Sequence, residues 1–209
     1  MASTVGTQSA RPHGAGIGPR LAPALTRALL LTGLACVLVL IGGSGCGKRD
    51  DALKGESARL PAPDFPVTVY QGAEQLGGQA VTLAGLAGKA VVLNFYGGNC
   101  PPCLQEMPAL QAAYQRYKDR VVLLGVDIGP FTGLGTMDEG KKLLTELNVT
   151  YPAGTTPDGT VPARYQLFVI PATVSVTPDG KVLRKYLGSL DSTAALLFFE
   201  ELVRASGSK

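Results

Sequence analysis

The sequence has no tryptophan, three methionines and one histidine among its 209 residues. That histidine, His13, lies in an N-terminal segment outside the part of the chain that reads as a fold. Without it the remainder cannot build a Ser-His-Asp or Cys-His catalytic unit, nor a zinc site that uses histidine. Net charge is scarce as well. Arg11, Arg20 and Arg27 all precede Cys46, and the rest of the chain carries 16 Lys+Arg against 16 Asp+Glu. A neutral folded region lacks the basic footprint of a nucleic-acid partner. The length suits one compact domain of ordinary size plus an appendage, not two large domains. Thiols and carboxylates are the chemistry that remains.

The four cysteines fall into two unlike pairs. Cys36 and Cys46 belong to the N-terminal segment, residues 1–46. Leu21 to Ile41 reads LAPALTRALLLTGLACVLVLI, with arginines before it and Gly42, Gly43, Ser44 and Gly45 between it and Cys46. A basic stretch, an apolar run and small residues at the exit describe an export signal. The uninterrupted apolar part, Ala28 to Ile41, falls short of the roughly 20 residues that span a bilayer comfortably. Small residues leading into Cys46 resemble a bacterial lipoprotein signal, although Gly43 stands where such signals carry leucine. Lipidation of Cys46 and an uncleaved N-terminal anchor are both open, and several acyl chains at Cys46 would hold stably. Cys36 reads as apolar filler. Residues 47–63, GKRDDALKGESARLPAP, read as a flexible tether closed by prolines.

Beyond the tether, residues 64–205 carry the periodicities of an α/β domain. Ala90 to Tyr96 and Val121 to Asp127 are continuous apolar runs of the kind found in strands covered on both faces. Between them, Pro101 to Lys118 has helical spacing, with Leu104, Met107, Leu110, Ala113, Tyr114 and Tyr117 on the expected buried face. Two strands joined by a helix imply a right-handed parallel crossover. A second helix is expected around Glu139 to Leu147. Ala172 to Val176 and Lys181 to Leu187 flank Thr177-Pro178-Asp179-Gly180, whose Asp-Gly pair suggests a tight hairpin. A closing helix is expected over Ser192 to Ala205.

Cys100 and Cys103 form a C-x-x-C pair where the first strand gives way to its helix. A thiolate is the nucleophile in disulfide exchange, and the amides and dipole at a helix N-terminus favour it. Pro101 and Pro102 fit the first turn, where a missing N–H costs little. Cys103, one turn on, is placed to close a disulfide with Cys100. Cys100 would attack a partner disulfide, and Cys103 would resolve the mixed disulfide. The bland readings are a structural disulfide or half a zinc site. Zinc lacks a second C-x-x-C or a nearby histidine, so no metal is expected. The exchange itself calls for no cofactor.

The segment LNFYGGNCPPCLQEMPAL, Leu93 to Leu110, resembles the active-site region of membrane-tethered thioredoxin-like proteins of the TlpA/ResA type, within the redoxin/AhpC-TSA-like superfamily. VIPATVSVTPDGKVL, Val169 to Leu183, resembles their cis-proline loop and its hairpin. LLTELNVTYPAGTTPDGTVPARYQL resembles the helix, strand and loop that this family inserts into the core. The resemblance implies a thioredoxin-like fold: a central mixed sheet flanked by helices, with that insertion and an N-terminal extension. It implies a cis bond between Ile170 and Pro171, with the Ile170 backbone holding a partner strand beside Cys100. It places a buried acid at Glu106, able to exchange protons with Cys103. Pro108 matches a helix kink. Tyr96 is a weaker candidate for the cleft near Cys100, as is Asn94, and Asp127 reads as a solvated carboxylate at a strand end. Asn99 stands where the family has tryptophan on its partner-docking surface.

The resemblance also implies an enzyme on the extracytoplasmic face of a bacterial membrane, reducing disulfides in exported proteins such as apocytochrome c or copper-site proteins. A membrane thiol-electron donor is then required, because an oxidising compartment otherwise leaves the pair as a disulfide. Two alternatives fit less well. A thiol peroxidase typically has Thr and Pro shortly before its reactive cysteine, whereas Cys100 follows Tyr-Gly-Gly-Asn. A copper-binding metallochaperone of related fold uses C-x-x-x-C with a distant histidine.

Overall fold

A computed structural model describes residues 59–207. The signal or anchor segment, Cys36, Cys46 and most of the tether lie outside the described residues. Seven strands form one mixed sheet: β1 (Pro66–Gln71), β2 (Ala80–Thr82), β3 (Ala90–Tyr96), β4 (Val121–Asp127), β5 (Ala153–Thr155), β6 (Ala172–Val176) and β7 (Val182–Leu187). Their order across the sheet is β2-β1-β5-β4-β3-β6-β7. Strands β3, β4 and β5 run parallel, and the remaining pairings are antiparallel.

The helices are α1 (Ala73–Leu76), α2 (Pro101–Tyr117), α3 (Gly129–Thr132), α4 (Met137–Glu146), α5 (Val161–Arg164) and α6 (Ser192–Ala205). The two central strands and α6 have the limits expected from sequence, because each is bounded by a sharp change in apolar pattern. Among the described residues no helix is long and apolar enough to cross a membrane.

The alternation along β3 divides the core. Ala90, Val92 and Tyr96 face a layer made with α2, α6 and Leu143 and Leu144 of α4. Val91, Leu93 and Phe95 face the opposite layer, with Phe65, Leu86, Val161 and Tyr165. Period-two side chains on a strand buried on both faces require this division. Helix α4 starts with a capping box: Thr136 accepts from the Glu139 amide, and the Glu139 carboxylate accepts from the Thr136 amide.

Two expectations need correction. Leu104, expected on the buried face of α2, is 47% exposed. The enclosed stripe instead runs from Cys103 and Glu106 through Met107 and Leu110, and a count of apolar residues alone overlooks its polar member. The hairpin turn takes its positive φ at Gly180 only, with Thr177 accepting from the Gly180 amide. The Asp-Gly pair thus supplies the positive φ that the hairpin was expected to need. Finally, the end of the expected tether is bound to the sheet. The Val182 amide donates to Leu60 O, the Ala62 amide donates to Gly180 O, and the Tyr165 hydroxyl donates to Pro63 O.

Gly154 lies at the seam between the β1–β2 hairpin and the parallel strands, where a Cβ would stand 2.3 Å from Thr68 O. Relieving that overlap means parting β1 from β5. Gly154→Ala is therefore expected to lower stability by about 1–3 kcal/mol, as overpacking does. Urea unfolding of the two proteins measures it, and an unchanged midpoint would mean that the seam yields without cost.

Candidate active site

Strand β3 delivers the chain to the site through Gly97, Gly98 and Asn99. A Cβ on Gly98 would stand 2.3 Å from the backbone of Glu139 and Gly140, and one on Gly97 would stand 2.6 Å from Leu134 Cβ. Only a residue without a side chain fits so close to α4 and the loop before it. The Asn99 amide donates to Leu134 O at 2.7 Å. Held in this way, the chain reaches Cys100, which caps α2 in an extended conformation with Pro101 and Pro102 in the first turn. The Cys103 and Leu104 amides both donate to Cys100 O.

Cys100 and Cys103 are joined as a disulfide, with Cα atoms 5.2 Å apart. Cys103 is fully buried and Cys100 is 4% exposed, so Cys100 is the more accessible of the two.

Glu106 lies one turn beyond Cys103 and is completely buried. Its Oε1 accepts from Asn94 Nδ2 at 2.6 Å, and its Oε2 accepts from the Leu190 amide at 3.0 Å. Burial raises its pKa from the ordinary 4.5 to about 7, outweighing the two hydrogen bonds that favour the charged form. Asn94 also donates to Thr173 Oγ1 on β6. The carboxyl thus joins β3, α2, β6 and the loop ahead of α6.

The Ile170–Pro171 bond is cis. Ala172 pairs with Phe95, which brings this loop to the end of the sheet where β3 leaves for Cys100. Phe168 and Val169, just before it, are 83% and 47% exposed. Asn99 is exposed and Ile170 half-buried.

Two other expectations change. Tyr96 does not line the cleft: it is fully enclosed, because its position in the β3 alternation points it into the α2 layer. Asp127 is not a solvated strand end. It is fully buried, since α3 and α4 close over the end of β4. Its Oδ1 accepts from the Gly129 amide at 2.9 Å, its Oδ2 accepts from the Tyr70 hydroxyl at 3.4 Å, and a Cβ on Gly140 would overlap Oδ2. Burial raises its pKa from 3.8 to about 6. The glycines at 97, 98 and 140 are the sequence signal for this crowding, but glycine content alone does not say which elements meet.

A mixed sheet with a dithiol at the N-terminus of a long helix and a cis-proline loop beside the same sheet end defines the thioredoxin-like class. The chain belongs to the AhpC/TSA family, whose pattern matches residues 59–185, and within it to the thiol-disulfide oxidoreductases of the ResA type. It is 33% identical to the thiol-disulfide oxidoreductase ResA of Oceanobacillus iheyensis over 129 residues, 62% of this chain and 64% of that protein. It is 31% identical to ResA of Bacillus cereus over 127 residues, 61% of this chain and 68% of that protein. The exposed lipoprotein thioredoxin of Streptococcus pneumoniae shares the fold with a TM-score of 0.54 at 22% identity, over 66% of this chain and 99% of that one.

Raised carboxyl pKa values have a signed effect on stability. The folded state holds these protons more tightly than the unfolded chain, so stability is greatest below the ordinary range and falls as pH rises towards the folded pKa. For Asp127 the fall runs from about 4 to about 6, and for Glu106 from about 4.5 to about 7. Asp127→Asn keeps an acceptor for Gly129 and removes the charge. Its stability relative to the parent is therefore expected to improve across the first window and level off above it, as read from urea midpoints of the oxidised proteins. A difference that does not vary with pH would place the Asp127 pKa near its ordinary value.

Proposed function

We propose that Cys100 and Cys103 exchange disulfides with exported proteins, in the reducing direction. The observation that carries this reading is the position of the dithiol: Cys100 at the N-terminus of α2, Cys103 one turn deeper, and the cis-proline loop at the same end of the sheet. In the reduced protein the helix N-terminus favours the Cys100 thiolate over its ordinary thiol. That thiolate attacks a sulfur of the partner disulfide, forming a mixed disulfide and releasing the other sulfur as a thiolate. Glu106 then accepts the Cys103 proton. Cys103 attacks Cys100, the internal disulfide forms, and the partner leaves with both of its sulfurs reduced. A membrane thiol-electron donor restores the dithiol.

The Ile170 and Pro171 backbone is our candidate for holding the partner strand, with Asn99 at its rim. Exposed Phe168 and Val169 give the cleft an apolar edge. Substrates such as apocytochrome c or copper-site cysteines fit an enzyme kept outside the cytoplasm by residues 1–46, through lipid at Cys46 or an uncleaved helix. The pneumococcal structural neighbour is described as an exposed lipoprotein, which agrees with this placement.

Redox titration of the full-length chain, with the two thiols followed by alkylation, tests the reading. A two-electron couple near or below about −270 mV is expected for a reductase, whereas a value near about −120 mV marks an oxidant. Cys103→Ser should trap mixed disulfides at Cys100, and Cys100→Ser should trap none. Failure of the parent protein to cycle between dithiol and disulfide would remove the proposal.

A further inference from the structure

The two segments that meet at the disulfide carry no acidic or basic residue. From Ala90 to Gln105, and again from Tyr165 to Pro178, there is no Asp, Glu, Lys, Arg or His. In their place stands apolar surface open to water. Phe168 is 83% exposed and Val169 47%, while Pro101, Pro102 and Leu104 are exposed on the α2 side. Single exposed apolar residues need no explanation, but a group of them on either side of a reactive sulfur marks a contact surface.

The backbone of the same loop has open bonding positions. Among the described residues, none of the amides and carbonyls of Phe168, Val169 and Ile170 has a backbone hydrogen-bond partner. Paired groups bracket the stretch: the Leu167 amide donates to Pro162 O, and Pro171 O accepts from the Gly188 amide. The loop is nonetheless fixed in place, because Ile170 packs against both core layers, one of which contains Cys100 and Cys103. Consecutive free amides and carbonyls, held beside a reactive cysteine, suit an extended chain that supplies the missing bonds. Main-chain pairing accepts almost any sequence, so the side chains beside it make the choice.

We propose that Phe168 determines specificity: the enzyme prefers a cysteine in an extended stretch with a large apolar side chain beside it. The inference rests on the exchange reading above. Phe168 covers that side chain from the cis-proline side, while Pro101, Pro102 and Leu104 receive apolar residues across the sulfur. Neither segment offers an ionic contact to a charged neighbour of the cysteine, and neither has a charge that an apolar neighbour would strip of water. The aromatic contact that Asn99 leaves out before Cys100 comes instead from the loop. The exchange itself is unchanged: two electrons and two protons pass from the dithiol to the partner's disulfide, which leaves as two thiols while Cys100 and Cys103 become joined. A folded partner encloses an apolar stretch of this kind and an unfolded one exposes it. The preferred substrates are therefore chains that have not yet folded.

The test uses the reduced full-length chain and two short peptides, each with one cysteine joined to glutathione through a disulfide. One peptide has Leu on both sides of its cysteine, and the other has Ser. We expect the Leu peptide to be reduced about tenfold faster, the factor that partial burial of one large apolar side chain supplies. Raising the salt to ~1 M, where the screening length falls to about 3 Å, should leave that ratio in place. Phe168→Ser should bring the ratio close to one, and Phe168→Leu should keep most of it. A side chain so exposed is replaced without loss of the fold, which the urea midpoints of the variants check. Equal rates for the two peptides in the parent protein, or a preference that survives Phe168→Ser, overturn the proposal. Reduction of oxidised glutathione by the parent protein leaves the exchange reading standing in either case, whereas failure of the parent to cycle between dithiol and disulfide removes both.

Discussion

The enclosed Glu106 carboxyl is the constraint around which the rest of the site is arranged. A charged group without solvent needs dedicated donors, and these come from distant parts of the chain: Asn94 in β3 and the Leu190 amide ahead of α6. Satisfying one side chain therefore fixes α2 against the sheet and draws the β7–α6 loop over its first turn, where Ser189 Oγ donates to Pro102 O. Cys103 sits inside this enclosure, and Cys100 at its edge. The depth difference between the two cysteines follows from the way α2 is held.

A second set of close contacts holds the other side of the disulfide. Gly97 and Gly98 allow the loop before α4 and the start of α4 to press directly against the backbone leading to Cys100. A bulky aromatic side chain just before Cys100 would add docking surface. Here Asn99 leaves that place open, while Phe168 and Val169 supply apolar surface on the cis-proline side. Exposed apolar surface therefore flanks the sulfur pair on both sides, from Pro101, Pro102 and Leu104 of α2 and from Phe168 and Val169.

Much of this was legible in the sequence, and for identifiable reasons. Strands β3 and β4 are buried on both faces, so they appear as unbroken apolar runs with clear limits, and the C-x-x-C pair marks the start of α2 between them. The cis-proline loop could be read only through resemblance, because a proline does not announce the isomer of its bond. The errors share a cause. Leu104 and Asp127 were assigned by polarity, yet the exposure of a side chain depends on which element covers it. Strand β1 is half-exposed and short, and neither its bulge at Tyr70 nor the reach of that side chain to Asp127 leaves a periodic trace.

The attachment of Leu60 to Ala62 beside the Thr177–Gly180 turn has a geometric consequence. That turn lies at the end of β6 away from Ala172, and so at the pole of the sheet opposite the disulfide. The first described residues of the chain therefore stand at one pole of the sheet and the redox pair at the other, with the full length of β3 and β6 between them.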